Sequence, residues 1–289
     1  MLRPFDYYRP RTLPEAVSLL SQTGTAALAG GTDLLVNIRS GKESPRVVVD
    51  LKDLPELRGV SLEGDRVWVG ALTTMDELAN AAVLGGPLGV LAEAASVVGC
   101  YEIRRRATIG GNICNASPGA DTAPALLVLE AEAVTRGPSW ARTVPLTEFY
   151  RGPGRTALEP GEILRGFSIP RPPDGSRGTY LRRTRVRGMD LAGIGLAALA
   201  VPGEGRRNRE VRLALGAVTP TPWRARGAES LLKEQMADTS LLARVKEVLS
   251  RDISPRATSL RASPEYKREM AGVLLEMALA RLLGEEWAG

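Results

Sequence analysis

Apolar positions along the chain recur at two different spacings, and the switches between them predict its elements. Thr12-Leu13-Pro14-Glu15 has the Thr-x-x-Glu pattern of a capped helix start with Pro in the first turn, and Ala16, Val17 and Leu20 continue at helical spacing. This helix is predicted to run to about Gly24. Residues 25–29 read as a short buried strand that feeds a glycine pair. A second helix, capped by Thr32 or Asp33, runs through Ile38 and stops at Gly41, and the β-branched run Val47 to Leu51 is a buried strand.

Beyond Pro55 and Gly59 the spacing changes to two. Val60 to Leu62 and Arg66 to Val69 are predicted strands around the turn Glu63-Gly64-Asp65, and Thr74 with Glu77 caps another helix. Leu88, Leu91, Ala95 and Val98 share one face of a helix over 88–98 that ends at Gly99. A helix over 122–129, a strand over 133–135 and a Gly- and Pro-rich loop from Arg151 to Gly161 follow. Pro170-Arg171-Pro172-Pro173-Asp174-Gly175 is the natural boundary, because consecutive prolines suit neither a helix nor a central strand. Three strands are predicted after it, over 179–186, 191–201 and 211–218, and then the chain turns helical. Ser263-Pro264 opens a strong helix whose Met270, Val273, Leu274, Met277 and Leu282 are predicted to face the core, with Gly284 at its end. The division is residues 1–170, in subdomains of about 1–55 and 56–170, followed by a lobe over 175–289.

Composition narrows the chemistry. The chain has 289 residues, 44% of them hydrophobic and 25% charged, with a net charge of +5. These values suit a globular protein with a sizeable core. The longest nearly uncharged apolar stretch, Leu191 to Val201, is too short to span a bilayer, and the first residues lack the apolar core of a signal peptide, so a cytoplasmic location is expected. The basic residues are dispersed and aromatics are few, which speaks against nucleic acid as a partner. There is no histidine, so a Ser-His-Asp triad and a histidine metal site are excluded. Two cysteines, Cys100 and Cys114, cannot supply a four-cysteine cluster, and two packed thiols are expected rather than a disulfide. Redox chemistry on this chain requires an organic cofactor.

Candidate chemistry concentrates in two glycine-rich stretches. Thr108-Ile109-Gly110-Gly111-Asn112 opens a run to Asp121 with little side-chain bulk at its centre, and Ala29-Gly30-Gly31-Thr32-Asp33-Leu34 repeats the design. Without Cβ atoms, backbone N–H groups in such loops approach an anion closely, and phosphate or diphosphate is the natural ligand. Neither stretch matches Gly-x-Gly-x-x-Gly or the P-loop. Asp33 beside a diphosphate would repel it, which makes helix capping its expected task. Asp121 suits either a helix cap or a ribose hydroxyl. Cys114 is expected to pack, and Arg104 to Arg106 form either a solvated turn or a docking surface for an acidic partner.

Together with Gly70-Ala71-Leu72-Thr73-Thr74, Gly161-Glu162-Ile163-Leu164, Met189-Asp190-Leu191-Ala192 and the stretch Leu260 to Arg268, these loops resemble the FAD-binding medium subunit of molybdenum hydroxylases, the family of the xanthine dehydrogenase and carbon monoxide dehydrogenase flavoproteins. The resemblance covers nearly the whole chain. It implies an α+β fold of the vanillyl-alcohol-oxidase type, with two FAD-binding subdomains and a C-terminal α/β lobe of a short antiparallel sheet with helices. It also implies non-covalent FAD, with Ala29, Gly30, Gly31, Thr32, Asp33 and Leu34 and then Thr108, Gly110, Gly111 and Asn112 around the diphosphate. Asp121 would then meet the ribose, Leu164 the flavin region, and Arg182 the place where some relatives put a lysine. The implied partners are a small subunit with [2Fe-2S] clusters, a large molybdopterin subunit and a terminal electron acceptor. The other readings are a self-sufficient flavin oxidoreductase of the same fold and a non-enzymatic nucleotide-binding module. The chain departs from the family at Gly99 to Arg105, where relatives carry Gly-x-Pro-Gln-Val-Arg-Asn, and at Val98, where some place an aromatic.

Overall fold

The structure is a computed structural model that describes residues 4–186, 188–203, 208–233, 235, 239–259 and 261–284. Leu260 of the C-terminal motif and Met1 to Arg3 lie outside the described residues.

The first part alternates strand and helix: β1 (Asp6–Tyr8), α1 (Leu13–Leu20), β2 (Thr25–Leu28), α2 (Leu34–Ser40) and β3 (Val47–Asp50). The three strands form a parallel sheet in the order β1-β3-β2, with Asp6 and Thr25 both opposite Val47. Strand β1 was not anticipated, because three exposed residues carry no alternation to read. The Thr12 hydroxyl caps α1 by accepting from Glu15 N–H, as the spacing predicts. Helix α2 ends at a left-handed Gly41 as expected, but its first turn corrects the capping assignment: Asp33 occupies the cap position and makes no side-chain cap bond.

The second part adds β4 (Val60–Glu63), β5 (Arg66–Gly70), α3 (Met75–Ala79), α4 (Gly89–Ser96), α5 (Tyr101–Arg104), α6 (Ile109–Cys114) and α7 (Thr122–Val128). It continues through β6 (Glu132–Arg136), β7 (Ala141–Pro145), α8 (Leu146–Phe149), β8 (Tyr150–Gly152), β9 (Arg155–Thr156) and β10 (Ile163–Pro170). Its antiparallel sheet runs β4-β5-β10-β6-β7, so the last strand returns to the centre, with Gly166 opposite Gly70 on one side and Val134 on the other. That return was not legible, because no strand is predicted between the loop that ends at Gly161 and the boundary at Pro170. The Gly- and Pro-rich loop contains the small β8–β9 hairpin.

The third part comprises β11 (Arg177–Arg183), β12 (Ile194–Pro202), β13 (Asn208–Gly216), β14 (Trp223–Arg224), α9 (Arg226–Leu232), α10 (Thr239–Asp252) and α11 (Pro264–Leu283). Its sheet is antiparallel in sequence order. The unbroken apolar run of β12 is explained by its two neighbours: Ala197 and Leu199 face the core of the second part, while Ile194, Leu196, Ala198 and Ala200 face the C-terminal helices. A strand buried on both faces needs no alternation. Strand β12 starts later than predicted because Leu191 stays exposed in the preceding connection. Strand β13 stops before Ala217, which has a φ of 65°.

Helix α11 corrects the predicted stripe. Ser263 caps it and Leu274 and Leu282 are buried, but Val273 and Met277 are exposed. The buried face instead runs through Lys267, Ala271, Leu275, Ala278 and Leu279, whose smaller members let the helix lie close on β11 and β12.

Candidate functional site

The first glycine loop leaves the carboxyl end of β2, the end of a parallel sheet at which ligands characteristically bind. Gly31 has a φ of 79°, a conformation that side chains other than glycine rarely adopt. Among the described residues, the N–H groups of Gly30, Gly31, Thr32, Asp33 and Leu34 donate to no protein acceptor, and the first bond of the turn is Leu35 N–H to Gly31 O at 3.2 Å. A row of unpaired donors at a helix start is an anion cradle. The Leu34 side chain turns inward to pack with Leu28, Ile38 and Val48, so only its backbone faces the loop. Asp33 is exposed, and partial desolvation moves its carboxyl above the ordinary range.

The second glycine stretch is not a loop. Thr108 caps α6, accepting from Gly111 N–H at 3.1 Å, while Gly110 N–H donates to Ala71 O at 2.8 Å. Asn112 N–H donates to Thr108 O at 3.0 Å. The amides of this glycine pair are therefore occupied, which corrects the expectation that they stand open to an anion. The open donor is Thr108 N–H: Ile109 donates to Thr73 O and Met75 to Ala107 O, an antiparallel bridge that turns the Thr108 N–H outward.

The glycines serve close approach instead. A Cβ on Gly30 would lie 1.9 Å from Arg106 O, and one on Gly110 would lie 2.7 Å from Ala71 O. Gly30 thus closes on the backbone that leads into the second glycine stretch, and Gly110 closes on Ala71 of the Gly70 to Thr74 segment. Ala71 N–H in turn donates to Arg165 O at 2.9 Å, which ties in the residue after Leu164 on β10. Leu164 itself is buried in the main core. Ala29, Gly30, Leu72, Thr74 and Thr108 line a cleft of about 120 Å³ together with Lys52, Arg58, Arg105 and Arg106.

The remaining predicted residues form a second cluster on α6 and beyond. Asn112 Oδ1 accepts from the Thr122 hydroxyl at 2.7 Å, and the neighbouring Asp121 accepts from the Tyr180 hydroxyl at 2.7 Å and from Arg182 at 3.1 Å. Asp121 makes no cap bond to α7, so of its two expected tasks the helix cap is removed. Burial pushes its carboxyl up, and Arg182 and Tyr180 act against that shift. This cluster joins the second glycine stretch to β11. A further link runs from buried Lys267, whose ammonium donates to Ala217 O at 2.7 Å, through Ala217 N–H to Pro118 O at 2.6 Å.

Cys100 and Cys114 are both free thiols, and burial pushes the Cys114 thiol up to about 12, which marks it as a packed, unreactive side chain. Reading the sequence missed Lys52, Arg58, Tyr180 and Lys267. Lys52 and Arg58 belong to no motif and reach the cleft only because β3 ends there, whereas Lys267 lies within a motif but carries no local sign of burial.

Two family descriptions cover most of the chain. The FAD binding domain in molybdopterin dehydrogenase matches residues 3–172, and the CO dehydrogenase flavoprotein C-terminal domain matches residues 179–282. The chain is 34% identical over 278 residues to the xanthine dehydrogenase FAD-binding subunit of Escherichia coli O157:H7, covering 95% of this chain and 94% of that one. It is likewise 34% identical to the carbon monoxide dehydrogenase medium chain of Hydrogenophaga pseudoflava, covering 95% and 96%. The structure of reconstituted CO dehydrogenase from Oligotropha carboxidovorans superposes with a TM-score of 0.93 at 32% identity over 98% of each chain. The order of elements, the glycine stretches and these likenesses agree: the chain belongs to the family of FAD-binding medium subunits of molybdenum hydroxylases.

Proposed function

We propose that this chain holds FAD without a covalent link and acts as the electron-transfer subunit of a molybdenum hydroxylase complex. The observation that carries the reading is the first glycine loop, a row of N–H groups at the carboxyl end of β2 that have no acceptor among the described residues, pressed by Gly30 against the backbone beside Thr108. A diphosphate fits such a cradle, because each donor gains an acceptor at a place where side chains are excluded. Ala29, Gly30, Gly31, Thr32, Asp33 and Leu34 would hold it from one side. Thr108 would hold it from the other, and Gly110, Gly111 and Asn112 would shape the surface by leaving room.

Asp121, held by Tyr180 and Arg182, would keep acceptor capacity for a ribose hydroxyl. Leu164 would offer apolar surface to the flavin, and Arg182 would act through Asp121. When bound, FAD supplies the exchange of electrons between one-electron and two-electron partners. The protein side chains orient and neutralise it. In this reading residues 1–170 form the FAD-binding part, with subdomains of about 1–55 and 56–170, and residues 175–289 the C-terminal lobe. Electrons would arrive from [2Fe-2S] clusters on a small partner subunit, fed by molybdopterin on a large one, and leave to a terminal acceptor, in the cytoplasm.

The test is to purify the full chain, remove any flavin and titrate with FAD while following the visible spectrum. Saturable binding of about one FAD per chain is expected, and a chain that shows no binding at micromolar FAD refutes the flavin reading. In the complex isolated from the source, iron and molybdenum should co-purify and the flavin band should bleach when substrate is added. Bleaching by substrate on this chain alone would favour a self-sufficient oxidoreductase.

A further inference from the structure

We propose that the diphosphate is bound chiefly by side-chain cations that no glycine motif marks, with Arg58 and Arg106 the decisive pair. This rests on the reading of the cleft as a nucleotide site and adds which groups carry the charge. Four cationic residues, Lys52, Arg58, Arg105 and Arg106, line the same cleft as Gly30 and Thr108.

Two of them already have carboxylate partners, and Lys52 also reaches Ala29 O at 3.5 Å. Lys52 pairs with buried Asp50 at 2.7 Å, and that carboxylate is further engaged by the Tyr7 hydroxyl and by Lys52 N–H. Arg105 reaches Asp76 at 3.5 Å and lies 5.9 Å from the centre of the Tyr101 ring. Arg58 has no carboxylate partner among the described residues and is aimed by a single bond, to Lys52 O at 3.1 Å. Arg106 has no hydrogen bond or ion pair from its side chain among them, although its backbone carbonyl is the atom against which Gly30 closes.

Uncompensated like charges gathered on one cleft repel one another and raise the local potential, a cost that an anion in the cleft removes. Gly30 and Thr108, whose N–H groups have no acceptor among the described residues, line the same cleft. A guanidinium in contact with a diphosphate oxygen adds a charge-assisted hydrogen bond that a glycine amide alone does not match. The ligand class is therefore a diphosphate ester, recognised by charge as well as by backbone.

The test uses the full chain and three single variants, Arg58→Ala, Arg106→Ala and Arg106→Lys, with Arg244→Ala, an exposed position on α10, as a control for net charge. FAD affinity is measured by titration at low and high salt, inorganic diphosphate binding by calorimetry, and folding by thermal melting. Each alanine variant is expected to bind FAD about tenfold more weakly at low salt, with a shallower salt dependence and an unchanged melting temperature. Arg106→Lys should recover part of the loss, and Arg244→Ala should match the parent. Parent-like FAD affinity in both alanine variants overturns the inference and leaves the flavin reading standing. A parent chain that ignores FAD but binds inorganic diphosphate through Arg106 overturns the flavin reading and keeps the inference; one that binds neither overturns both.

Discussion

Gly30→Ala is the sharpest probe of how the two glycine stretches are joined. The added Cβ would stand 1.9 Å from Arg106 O and 2.7 Å from Arg106 C. An unstrained carbon–oxygen contact needs roughly 3.3 Å, so the backbones must part by about 1.4 Å. Both clashing groups are main chain, and no rotamer change relieves them. Overpacking of this kind costs about 1–3 kcal/mol, which lowers the melting temperature of a chain this size by roughly 2–5 °C. The same displacement opens the cradle, and a site loosened by about 1 Å loses much of its preorganised affinity. FAD titration and thermal melting should therefore both register the change, with affinity down at least tenfold.

Two neighbouring variants give the scale. Gly31→Ala meets only the flexible ends of Leu28 and Leu35 at 3.1 Å, so its cost is the left-handed backbone, about 1–2 kcal/mol. Gly111→Ala meets the Thr108 hydroxyl at 3.0 Å inside a helix, where alanine is favoured by roughly 1 kcal/mol, and should change little. Parent-like stability and affinity in Gly30→Ala, or a larger loss in Gly111→Ala, would refute the reasoning.

Three further outcomes are expected. Arg182→Met leaves the Asp121 carboxylate, 6% exposed, without its cation, which should cost on the order of 3 kcal/mol near neutral pH. Because that carboxyl is already raised by burial and would rise further, the penalty should grow as pH climbs through the raised folded value of the parent and shrink on acidification below it; equal melting losses at about pH 4 and pH 8 would contradict this. Glu162 behaves oppositely: burial pushes its carboxyl up, but Arg142, Thr135 and Glu159 N–H together hold it below the ordinary range. Its stabilisation is present above about pH 4.3 and lost as pH falls through the lowered value, so Glu162→Gln should lower stability near neutral pH and flatten the acid side of the stability curve measured by urea unfolding. Tyr150→Phe removes a buried hydroxyl that has no partner among the described residues and should leave the melting temperature unchanged or raise stability by up to about 1 kcal/mol, whereas a loss above about 2 kcal/mol would reveal a hidden acceptor.

Local signals in this chain were strong where one element decides its own fate. Thr12, Thr74 and Ser263, each read as a helix start, all accept the backbone hydrogen bond of a helix cap, because capping depends on a few adjacent residues. The composition alone removed histidine chemistry, and the glycine stretches with their flanking motifs identified the family. Strand β10 and the buried face of α11 were not legible. The first depends on partners far away in the chain, and the second on which small side chains the sheet admits. The same limit governs the site. The sequence marked Gly110 and Gly111 as open donors, yet tertiary pairing with Ala71 and the Thr108 cap consumed their amides and left the first loop as the cradle. Whether a glycine meets a ligand or another backbone, and whether Lys52, Arg58 and Arg106 share one cleft, is settled only when distant segments pack, because a hydrogen-bond donor is used by whichever acceptor the fold brings within reach.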